Sequence, residues 1–475
     1  MVFSSTIFLF IYLPVALILY YSMPGQKTKN IMLALLSVLF YAWGEPVWAI
    51  LLILSAVLHF ACGWMIERFR GKPQAKAAVV ASIVISIGLL VFFKYANFIV
   101  GNLNAITGLH LPETKVKLPI GISFYTFQTL SYSIDAYKGN VKVQRSFWSF
   151  LLFVSLFPQL IAGPILRYSD IEMQLSARRT TLTEFVYGTT RFLCGLAKKV
   201  LIANYAGAVV ERLFAGSLVS AVTVLGAWIG IVLYAFQIYF DFSGYSDMAI
   251  GLGSMFGFSY PENFNRPYIS KSITEFWRRW HISLGTFFRD YVYIPLGGNR
   301  RSLLVQARNM LIVWSLTGLW HGASWNFVIW GLWFFVFLFM ERLLGLRRLG
   351  KIPAAFRLLS TFVIVLFGWV FFYFTNLSDI RIMLFAMLGQ APGGWMNSEA
   401  RLILINNIPL LLLCFVAAAG AFTKYARRLF DSMKEGLVPI ALFSIPTIVY
   451  NTSLLVLCSI SLLGSTHNPF IYFRF

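Results

Sequence analysis

Apolar runs of the length of a membrane span recur along the whole sequence. A transmembrane helix needs about 20 predominantly apolar residues, and nine runs meet or approach this length: 3–21, 31–44, 46–66, 77–100, 147–165, 219–240, 355–375, 402–423 and 437–463. Less regular apolar runs lie at 118–134, 184–206 and 310–340. Because only helices and closed barrels satisfy their backbone hydrogen bonds in lipid, these runs predict an all-α integral membrane protein with about 11 to 13 membrane helices or part-helices.

Composition and charge support a membrane protein over a nucleic-acid-binding protein. The chain is 59% hydrophobic and 12% charged, whereas a soluble domain is about half apolar and a quarter charged. The net charge of +21 comes from cations that lie between the apolar runs, as in the cytoplasmic loops of membrane proteins. Because no basic stripe stands apart from those runs, we expect the lipid bilayer as a partner and no nucleic acid.

The basic clusters also predict the orientation of the chain. Cytoplasmic loops carry an excess of lysine and arginine, which places these segments in the cytoplasm: Lys27–Lys29, Arg68–Lys76, Lys138–Arg145, Lys271–Arg308, Arg342–Lys351 and Lys424–Lys434. Both termini are then predicted to lie outside, with His467 on the outer side. The first apolar run has no basic residue before it and no small-residue cleavage site, so it is predicted to be a retained span.

The cysteines indicate neither a disulfide nor a metal site. Cys62, Cys194, Cys414 and Cys458 are far apart in the sequence, and no CxxC or similar ligand spacing occurs. We therefore expect no redox function and no bound metal. Their surroundings are mostly apolar, which is typical of cysteines that act as small buried hydrophobic residues.

One histidine interrupts a stretch that otherwise resembles a membrane span. His321 lies in "SLTGLWHGASWNFVIWG", residues 315–331. An ionisable group inside a membrane is costly to bury and therefore indicates function, although a histidine that only hydrogen-bonds a neighbouring helix is the other interpretation. Both flanks of 310–343 are basic, so the stretch predicts either two shorter helices meeting at "HGAS" or one tilted span. In both cases His321 lies deep in the bilayer.

A second stretch combines aromatic residues, arginines and a histidine. In "SITEFWRRWHISLGTFFRDYVYIPLGGNR", residues 272–300, Ser272 and Glu275 have the spacing of a capping box and predict a helix start. Continued as one helix, the aromatic residues share one face, Arg278 and Arg289 share the opposite face, and His281 lies at the boundary. This pattern fits a helix lying on the membrane surface, or a polar cavity that binds a phosphorylated cofactor.

Other features of the two stretches and their surroundings carry weaker predictions. Gly297–Gly298 is predicted to form a tight turn, because glycine readily takes positive φ. Three acids and two lysines lie within apolar runs, and we expect structural ion pairs over catalysis for them, since buried charges are usually paired: Asp135, Asp241, Asp247, Lys198 and Lys199. His59 is predicted to be a core histidine, and His110 to lie in or near an outer loop.

Both stretches resemble the membrane-bound O-acyltransferase (MBOAT) family. "FWRRWHISLGTFFRDYVYIPLGGNR" (276–300) and "GLWHGASWNFVIWG" (318–331) are similar to the alginate O-acetyltransferase membrane subunits and their bacterial relatives. Four further segments fit the same subgroup: 118–135, 157–170, 241–251 and 468–475. The related membrane proteins of teichoic acid D-alanylation lack "IPLGGNR", and eukaryotic relatives generally carry Asn at the position of His281. The resemblance therefore favours O-acetylation.

The resemblance implies a fold, an activity and a location. The fold is a ring of tilted helices around a central tunnel within one multipass domain, with peripheral helices at 1–115, the tunnel and catalytic core at 118–345 and C-terminal helices at 350–475. An acetyl group is taken from a cytoplasmic thioester, for which we expect acetyl-CoA. It is passed to an acceptor outside, through a partner acetyltransferase of the SGNH type and alongside glycan-synthesis machinery. The location is the bacterial cytoplasmic membrane.

The resemblance also implies site residues. His321 is the expected catalytic residue and His281 its catalytic companion. Eight residues are expected to bind the donor or to line the tunnel: Trp280, Arg278, Arg279, Arg289, Asp290, Asn299, Trp320 and Asn326. Imidazole can act as a base near neutral pH, and arginines suit the phosphates of coenzyme A. We expect no tightly bound cofactor.

Two other functions fit parts of the pattern. A D-alanyl or longer-chain acyltransferase would use the same histidines with a different donor. A transporter of a glycan or an acyl carrier would also have many spans and intramembrane ionisable groups, but the inverted repeats typical of many transporters are not visible in this sequence.

Overall fold

A computed structural model describes residues 1–214, 219, 221–345, 350–420, 440–464 and 470 of the chain. Within these ranges the regular structure is helical and no β-strand occurs. In the described part of the chain, eight helices are long and apolar enough to cross a membrane: Pro46–Arg68, Pro73–Thr107, Leu182–Phe214, Val224–Met255, Trp325–Leu344, Ala354–Tyr373, Ser398–Ala419 and Ile445–Leu463. The protein is therefore an all-α, multipass membrane protein, as the apolar runs predicted.

The chain divides into two compact units, of which the first comprises Met1–Cys194 and Tyr245–Pro261. Besides parts of two long helices, it contains these helices: Phe8–Ser22, Gly25–Ala42, Pro46–Arg68, Pro73–Thr107, Ile122–Lys138, Phe147–Ser155, Phe157–Leu160 and Tyr168–Ser176. His59 is fully buried in this unit, and its two ring nitrogens lie 2.7 Å from Ser133 Oγ and 2.8 Å from Ser86 Oγ. The prediction of a core histidine is confirmed.

The second unit comprises Gly195–Gly244 and Glu262–Phe475. It contains the rest of the long helices Leu182–Phe214 and Val224–Met255. Its other α-helices are Ile273–Arg279, Ile282–Phe288, Leu303–His321, Trp325–Leu344, Ala354–Tyr373, Leu377–Met387, Ser398–Ala419 and Ile440–Leu463. Shorter 3₁₀ and π turns lie at Pro267–Ile269, Arg289–Tyr293 and Gly298–Arg300. Aromatic residues from several of these helices form the core of this unit.

The predicted spans 147–165 and 219–240 differ from the structure. The run 147–165 is not one helix, because Phe147–Ser155 ends at Leu156, whose ψ of 107° is not helical. Pro158 follows, and proline removes a backbone donor and clashes with the preceding helical turn. The run 219–240 belongs to a longer helix, Val224–Met255. Lys424, His467, and parts of the runs 402–423 and 437–463 lie outside the described residues.

Ion pairs explain why the Val224–Met255 helix continues past the apolar run. Asp241 Oδ1 lies 2.6 Å from Lys199 Nζ, and Asp247 Oδ1 lies 2.6 Å from Arg191 Nη2. Pairing lowers the cost of burying each carboxylate, so the helix can extend through both acids. The predicted ion pairs are confirmed for these two acids. Asp135 accepts a hydrogen bond from Asn140 Nδ2, and its ion pair stays a prediction.

None of the four cysteines, all of which are among the described residues, forms a disulfide bond. Cys62, Cys414 and Cys458 are buried, and Cys194 is partly exposed. The tunnel and the division into 1–115, 118–345 and 350–475 stay predictions.

Candidate active site

Two helices of the second unit meet beside His321. The Leu303–His321 helix ends at the histidine, and the Trp325–Leu344 helix begins four residues later. At Gly318 a β-carbon would clash with the backbone of Phe327, and at Gly331 with the backbone of Trp314. Small residues let membrane helices approach closely, so these glycines allow the tight hairpin. Of the two predicted arrangements, two helices meeting at "HGAS" is correct and the single tilted span is wrong.

Each helix of the hairpin is longer than expected. They contain 19 and 20 residues, because both extend past the basic flanks and include Arg308 and Arg342. Arg308 precedes His321 by 13 residues, which corresponds to about 20 Å along a helix axis. The position of His321 within the hydrocarbon core, which is about 30 Å thick, stays a prediction.

Aromatic rings surround the imidazole of His321. The ring centroid lies 4.9 Å from that of Trp320, 5.0 Å from Trp330 and 5.1 Å from Phe372, each in an edge-on arrangement. A cavity of about 10 Å³ lies against the ring and is lined by Ile238, Phe242, Trp280, His321, Trp330, Trp369 and Phe372. That volume is about the space one water molecule needs, so one oxygen-sized group fits beside the imidazole.

The lining is apolar apart from a few nitrogen atoms. The indole Nε1 of Trp330 is buried and has no hydrogen-bond partner among the described residues. An unpaired buried donor costs free energy. The cavity lining therefore includes one titratable side chain and one residue with an unpaired indole N–H.

His281 lies at a break between two short helices. The first, Ile273–Arg279, begins as predicted, since Ser272 Oγ accepts a hydrogen bond from the backbone N–H of Glu275. It ends before Trp280, and His281 has φ of 46° in the left-handed region. The single amphipathic helix predicted through this stretch is therefore wrong, and so is the face assigned to Arg278 and Arg289 from it.

The loop 263–265 explains the break. The carbonyl of Arg279 accepts a hydrogen bond from the backbone N–H of Asn265, and the N–H of Ile282 donates to the carbonyl of Asn263. These bonds replace helical ones at the junction. The side-chain Oδ1 of Asn263 lies 3.2 Å from His281 Nδ1 and also accepts bonds from the backbone N–H and the hydroxyl of Ser283. A polar loop thus holds His281 in an otherwise aromatic region.

Glu341 fixes the start of the first short helix. Its two carboxylate oxygens accept hydrogen bonds from the backbone N–H groups of Ile273, at 2.6 Å, and Thr274, at 2.8 Å. These N–H groups have no partner within the helix, and a carboxylate at a helix N-terminus is favourable. The His321 hairpin therefore anchors the helix that leads to His281.

Trp320 connects the two histidines. Its ring centroid lies 5.7 Å from that of His281 and 4.9 Å from that of His321. The ring of Phe242, which lines the cavity, lies 4.8 Å from His281. His281 is 2% exposed, and because a charged imidazolium is costly in such apolar surroundings, its ring is neutral. The structure brings together His281, His321, Trp280 and Trp320.

The remaining predicted site residues lie elsewhere or make structural contacts. Arg278 is exposed, Arg279 pairs with Glu275, and Arg289 pairs with its neighbour Asp290. Asn326 is buried and donates to the carbonyl of Phe371. None of these residues lines the cavity, and their predicted role in donor binding stays a prediction.

The glycine turn of "IPLGGNR" forms as expected, with φ of 107° at Gly297 and 52° at Gly298. Asn299 follows this turn and is exposed, and its Oδ1 accepts a hydrogen bond from Tyr293. The loop is further held by Gln306, whose side-chain amide donates to the carbonyls of Asn299 and Arg301. The turn is thus a fixed part of the surface.

Sequence reasoning missed several residues of the site. Phe242, Trp369 and Phe372 line the cavity, but aromatic residues in apolar runs are indistinguishable from ordinary core residues. Asn263 was also missed, because it lies in the loop segment "PENFNRPY" (261–268), where asparagine is common. Its position after a turn proline and before an aromatic helix was the only available indication.

Comparison with known proteins places the chain in a family. The model of the family described as MBOAT, membrane-bound O-acyltransferase, matches residues 141–378. A protein named probable alginate O-acetylase AlgI from Azotobacter vinelandii is 40% identical over 505 residues, covering 100% of both chains. Its namesake from Pseudomonas aeruginosa is 44% identical over 84% of this chain and 76% of that protein.

A third relative carries a different name. The peptidoglycan O-acetyltransferase of Helicobacter pylori is 35% identical over 82% of this chain and 80% of its own length. The region matched by the family model contains both histidines and the cavity residues. Since the family model covers half of the chain and relatives align along nearly all of it, this protein belongs to the membrane-bound O-acyltransferase family.

Proposed function

We propose that this membrane O-acyltransferase moves an acetyl group from a cytoplasmic thioester, acetyl-CoA, to a hydroxyl group on the other side of the membrane. The acceptor is a cell-surface glycan or a partner acetyltransferase of the SGNH type that modifies the glycan. The names of the relatives support acetyl as the acyl group and a polysaccharide as the final acceptor. The observation that carries the proposal is the buried imidazole of His321 against a cavity of oxygen-atom size.

In the proposed reaction His321 acts as the general base. The acceptor oxygen attacks the thioester carbonyl carbon while its proton passes to the imidazole. The C–S bond breaks, and the proton then moves to the thiolate, so an ester and a free thiol leave the site. Because His321 ends a helix, the negative end of the helix dipole favours the imidazolium that forms.

The thioester carbonyl oxygen becomes negatively charged in the transition state. The indole N–H of Trp330 is a candidate donor to that oxygen, because it is buried, lines the cavity and has no partner among the described residues. A donor fixed in a water-poor site stabilises the developing charge more than water does. Trp330 would then donate a hydrogen bond to the substrate, although the residues around it are apolar.

Donor binding is proposed on the basic surface that leads to the two short helices. Arg278, Arg300 and Arg301 are exposed, and arginine binds phosphate groups through paired N–H donors. The positive-inside rule supports a cytoplasmic location for this surface. The donor would enter from the cytoplasm as a substrate, with no cofactor held between turnovers.

Acetyl transfer by purified protein in liposomes tests the proposal. Acetyl-CoA, a longer acyl-CoA and a D-alanyl carrier thioester are supplied separately, with an acetyl-accepting glycan fragment or the SGNH-type partner present or absent. We expect release of free thiol from acetyl-CoA that depends on the acceptor and matches ester formation one to one. Transfer from the D-alanyl thioester alone would assign the protein to D-alanylation. Movement of glycan without thiol release would identify a transporter.

A further inference from the structure

We propose that Asn263 is a positioning residue that holds His281 as its Nδ1–H tautomer, so that the Nε2 lone pair faces the donor thioester. The tautomer follows from the hydrogen-bond geometry around Asn263 and from the neutrality of the buried ring. Its catalytic consequence rests on the proposed acyl transfer. Neither the sequence pattern nor the family resemblance implies a role for Asn263.

The orientation of the Asn263 amide is set by a backbone donor. The N–H of Ser283 lies 3.2 Å from Asn263 Oδ1, and a backbone N–H can only donate. If the amide were rotated by 180°, its NH₂ group would face this N–H, two donors in contact. The Ser283 hydroxyl, at 2.9 Å, can adapt to either orientation. The backbone donor therefore requires the oxygen on this side.

The orientation of the amide then determines the histidine tautomer. Nδ1 of His281 lies 3.2 Å from the same Oδ1, and an amide oxygen can only accept a hydrogen bond. Nδ1 must therefore carry the proton. Because the buried ring is neutral, Nε2 has a free lone pair, and the partner of one ring nitrogen fixes the chemistry of the other.

Nε2 of His281 belongs to a ring that contacts Phe242, one of the residues that line the cavity. It is buried and has no hydrogen-bond partner among the described residues. The ring is held by Phe242 on one side, with centroids 4.8 Å apart and planes at 90°, and by Trp320 at 5.7 Å. An acceptor fixed in apolar surroundings favours a ligand N–H or O–H group strongly. The arm of acetyl-CoA carries an amide N–H close to the thioester, which is a donor of this kind.

The two histidines therefore have different roles in the proposed reaction. His321 takes the proton of the acceptor hydroxyl, and His281 accepts a hydrogen bond from the donor and places its carbonyl carbon. His281 remains neutral throughout and transfers no proton. Loss of the Nδ1 partner would allow the proton to occupy Nε2, which would then repel the donor N–H.

Histidine tautomers can be measured without any activity. Nitrogen-15 NMR of full-length protein labelled at histidine distinguishes a protonated from a bare ring nitrogen, and His281→Asn identifies the signal. We expect a bare Nε2 in the wild type and in Ser283→Ala, which keeps the backbone N–H, but a protonated Nε2 in Asn263→Ala. A protonated Nε2 in the wild type, or no change in Asn263→Ala, would overturn the proposal.

Kinetics provide the second test. A partner behind a functional side chain typically contributes about 10- to 100-fold, so Asn263→Ala should lower kcat/KM for acetyl-CoA by about that factor, with the KM of the acceptor unchanged. Ser283→Ala should stay within about five-fold of the wild type, the scale of one ordinary hydrogen bond. In a His281→Ala background, Asn263→Ala should cause no additional loss, whereas a purely structural role would add its own.

The two tests separate this inference from the proposed function. If wild-type protein transfers no acetyl group but its His281 has a bare Nε2 that depends on Asn263, the positioning role stands and the proposed function is wrong. If acetyl transfer occurs and Asn263→Ala matches Ser283→Ala in rate and tautomer, the proposed function stands and the positioning role is wrong.

Discussion

Lys199 Nζ and Asp241 Oδ1 lie 2.6 Å apart, and the two side chains are only 4% and 2% exposed. Lys199 belongs to the π-helical turn Lys198–Ala203, within the long Leu182–Phe214 helix. Single π turns inside α-helices are rare and are frequently found at functional sites. Asp241 lies between two residues that line the cavity, Ile238 and Phe242. The ion pair thus stabilises the part of the Val224–Met255 helix that forms the cavity wall.

Breaking this ion pair on one side should be more harmful than removing it entirely. Removing one partner of a buried pair leaves an uncompensated charge and costs about 3–5 kcal/mol, whereas an apolar replacement of both is often neutral. We expect Lys199→Met and Asp241→Leu each to lower the unfolding temperature in detergent strongly, and the double variant to recover most of the loss. Equal losses in all three variants would show that the pair has another role.

Trp330→Phe tests the proposed donor to the thioester carbonyl. Phenylalanine keeps most of the ring but removes the N–H, and loss of one such donor typically lowers kcat by about 10²- to 10³-fold. Trp333→Phe is the matched control on the same helix, because its Nε1 donates to the carbonyl of Ile364 instead. We expect kcat for acetyl transfer to fall in Trp330→Phe alone. Similar activities in the two variants would leave Trp330 as a packing residue.

The left-handed backbone of His281 allows its side chain to be tested separately from its conformation. Asparagine adopts positive φ more readily than most residues other than glycine, so His281→Asn should fold and insert normally. We expect His281→Asn and His281→Ala both to lose at least about 10-fold in kcat/KM for acetyl-CoA. Activity within a few-fold of the wild type in His281→Asn would show that only the backbone turn matters at this position.

The predicted orientation is testable with single cysteines in sealed cells. An impermeant thiol reagent added from outside should label a cysteine at His110, which lies in an exposed loop, but not one at Arg70 or Arg301. The positive-inside rule is the basis of this expectation. The background variant lacks the four native cysteines. Labelling at position 301 from outside would place the proposed donor surface on the wrong side of the membrane.

Much of the fold could be predicted from the sequence, because apolar runs of about 20 residues indicate helices that lie in the lipid bilayer. The hairpin at His321 was one of the two arrangements that the basic flanks predicted. The break at 147–165 was not predicted, because the run is strongly hydrophobic although it contains Pro158 and Pro164. The Val224–Met255 helix was predicted too short, because its acids are paired with cations that are distant in the sequence.

Of the candidate site, the two histidines and their neighbours Trp280 and Trp320 could be predicted from the sequence. His281 and His321 are conspicuous because an imidazole is costly in lipid. The prediction of one helix through this stretch was wrong, because periodicity applies only where the helix continues. Backbone hydrogen bonds from the loop at Asn263 and Asn265 end the helix before Trp280. Backbone hydrogen bonds between segments that are apart in the sequence produce no periodic pattern of residues. The cavity walls were likewise hidden among other aromatic residues.

His321→Gln tests the central claim most directly. Glutamine keeps much of the size and some hydrogen bonding of histidine but has no basicity at neutral pH. Proton transfer by a positioned base is typically worth about 10²- to 10⁴-fold. Acetyl transfer from acetyl-CoA by His321→Gln in liposomes, at protein levels matched to the wild type, should therefore fall by at least about 100-fold. Near-normal transfer by this variant would contradict the account and show that His321 is a packing histidine.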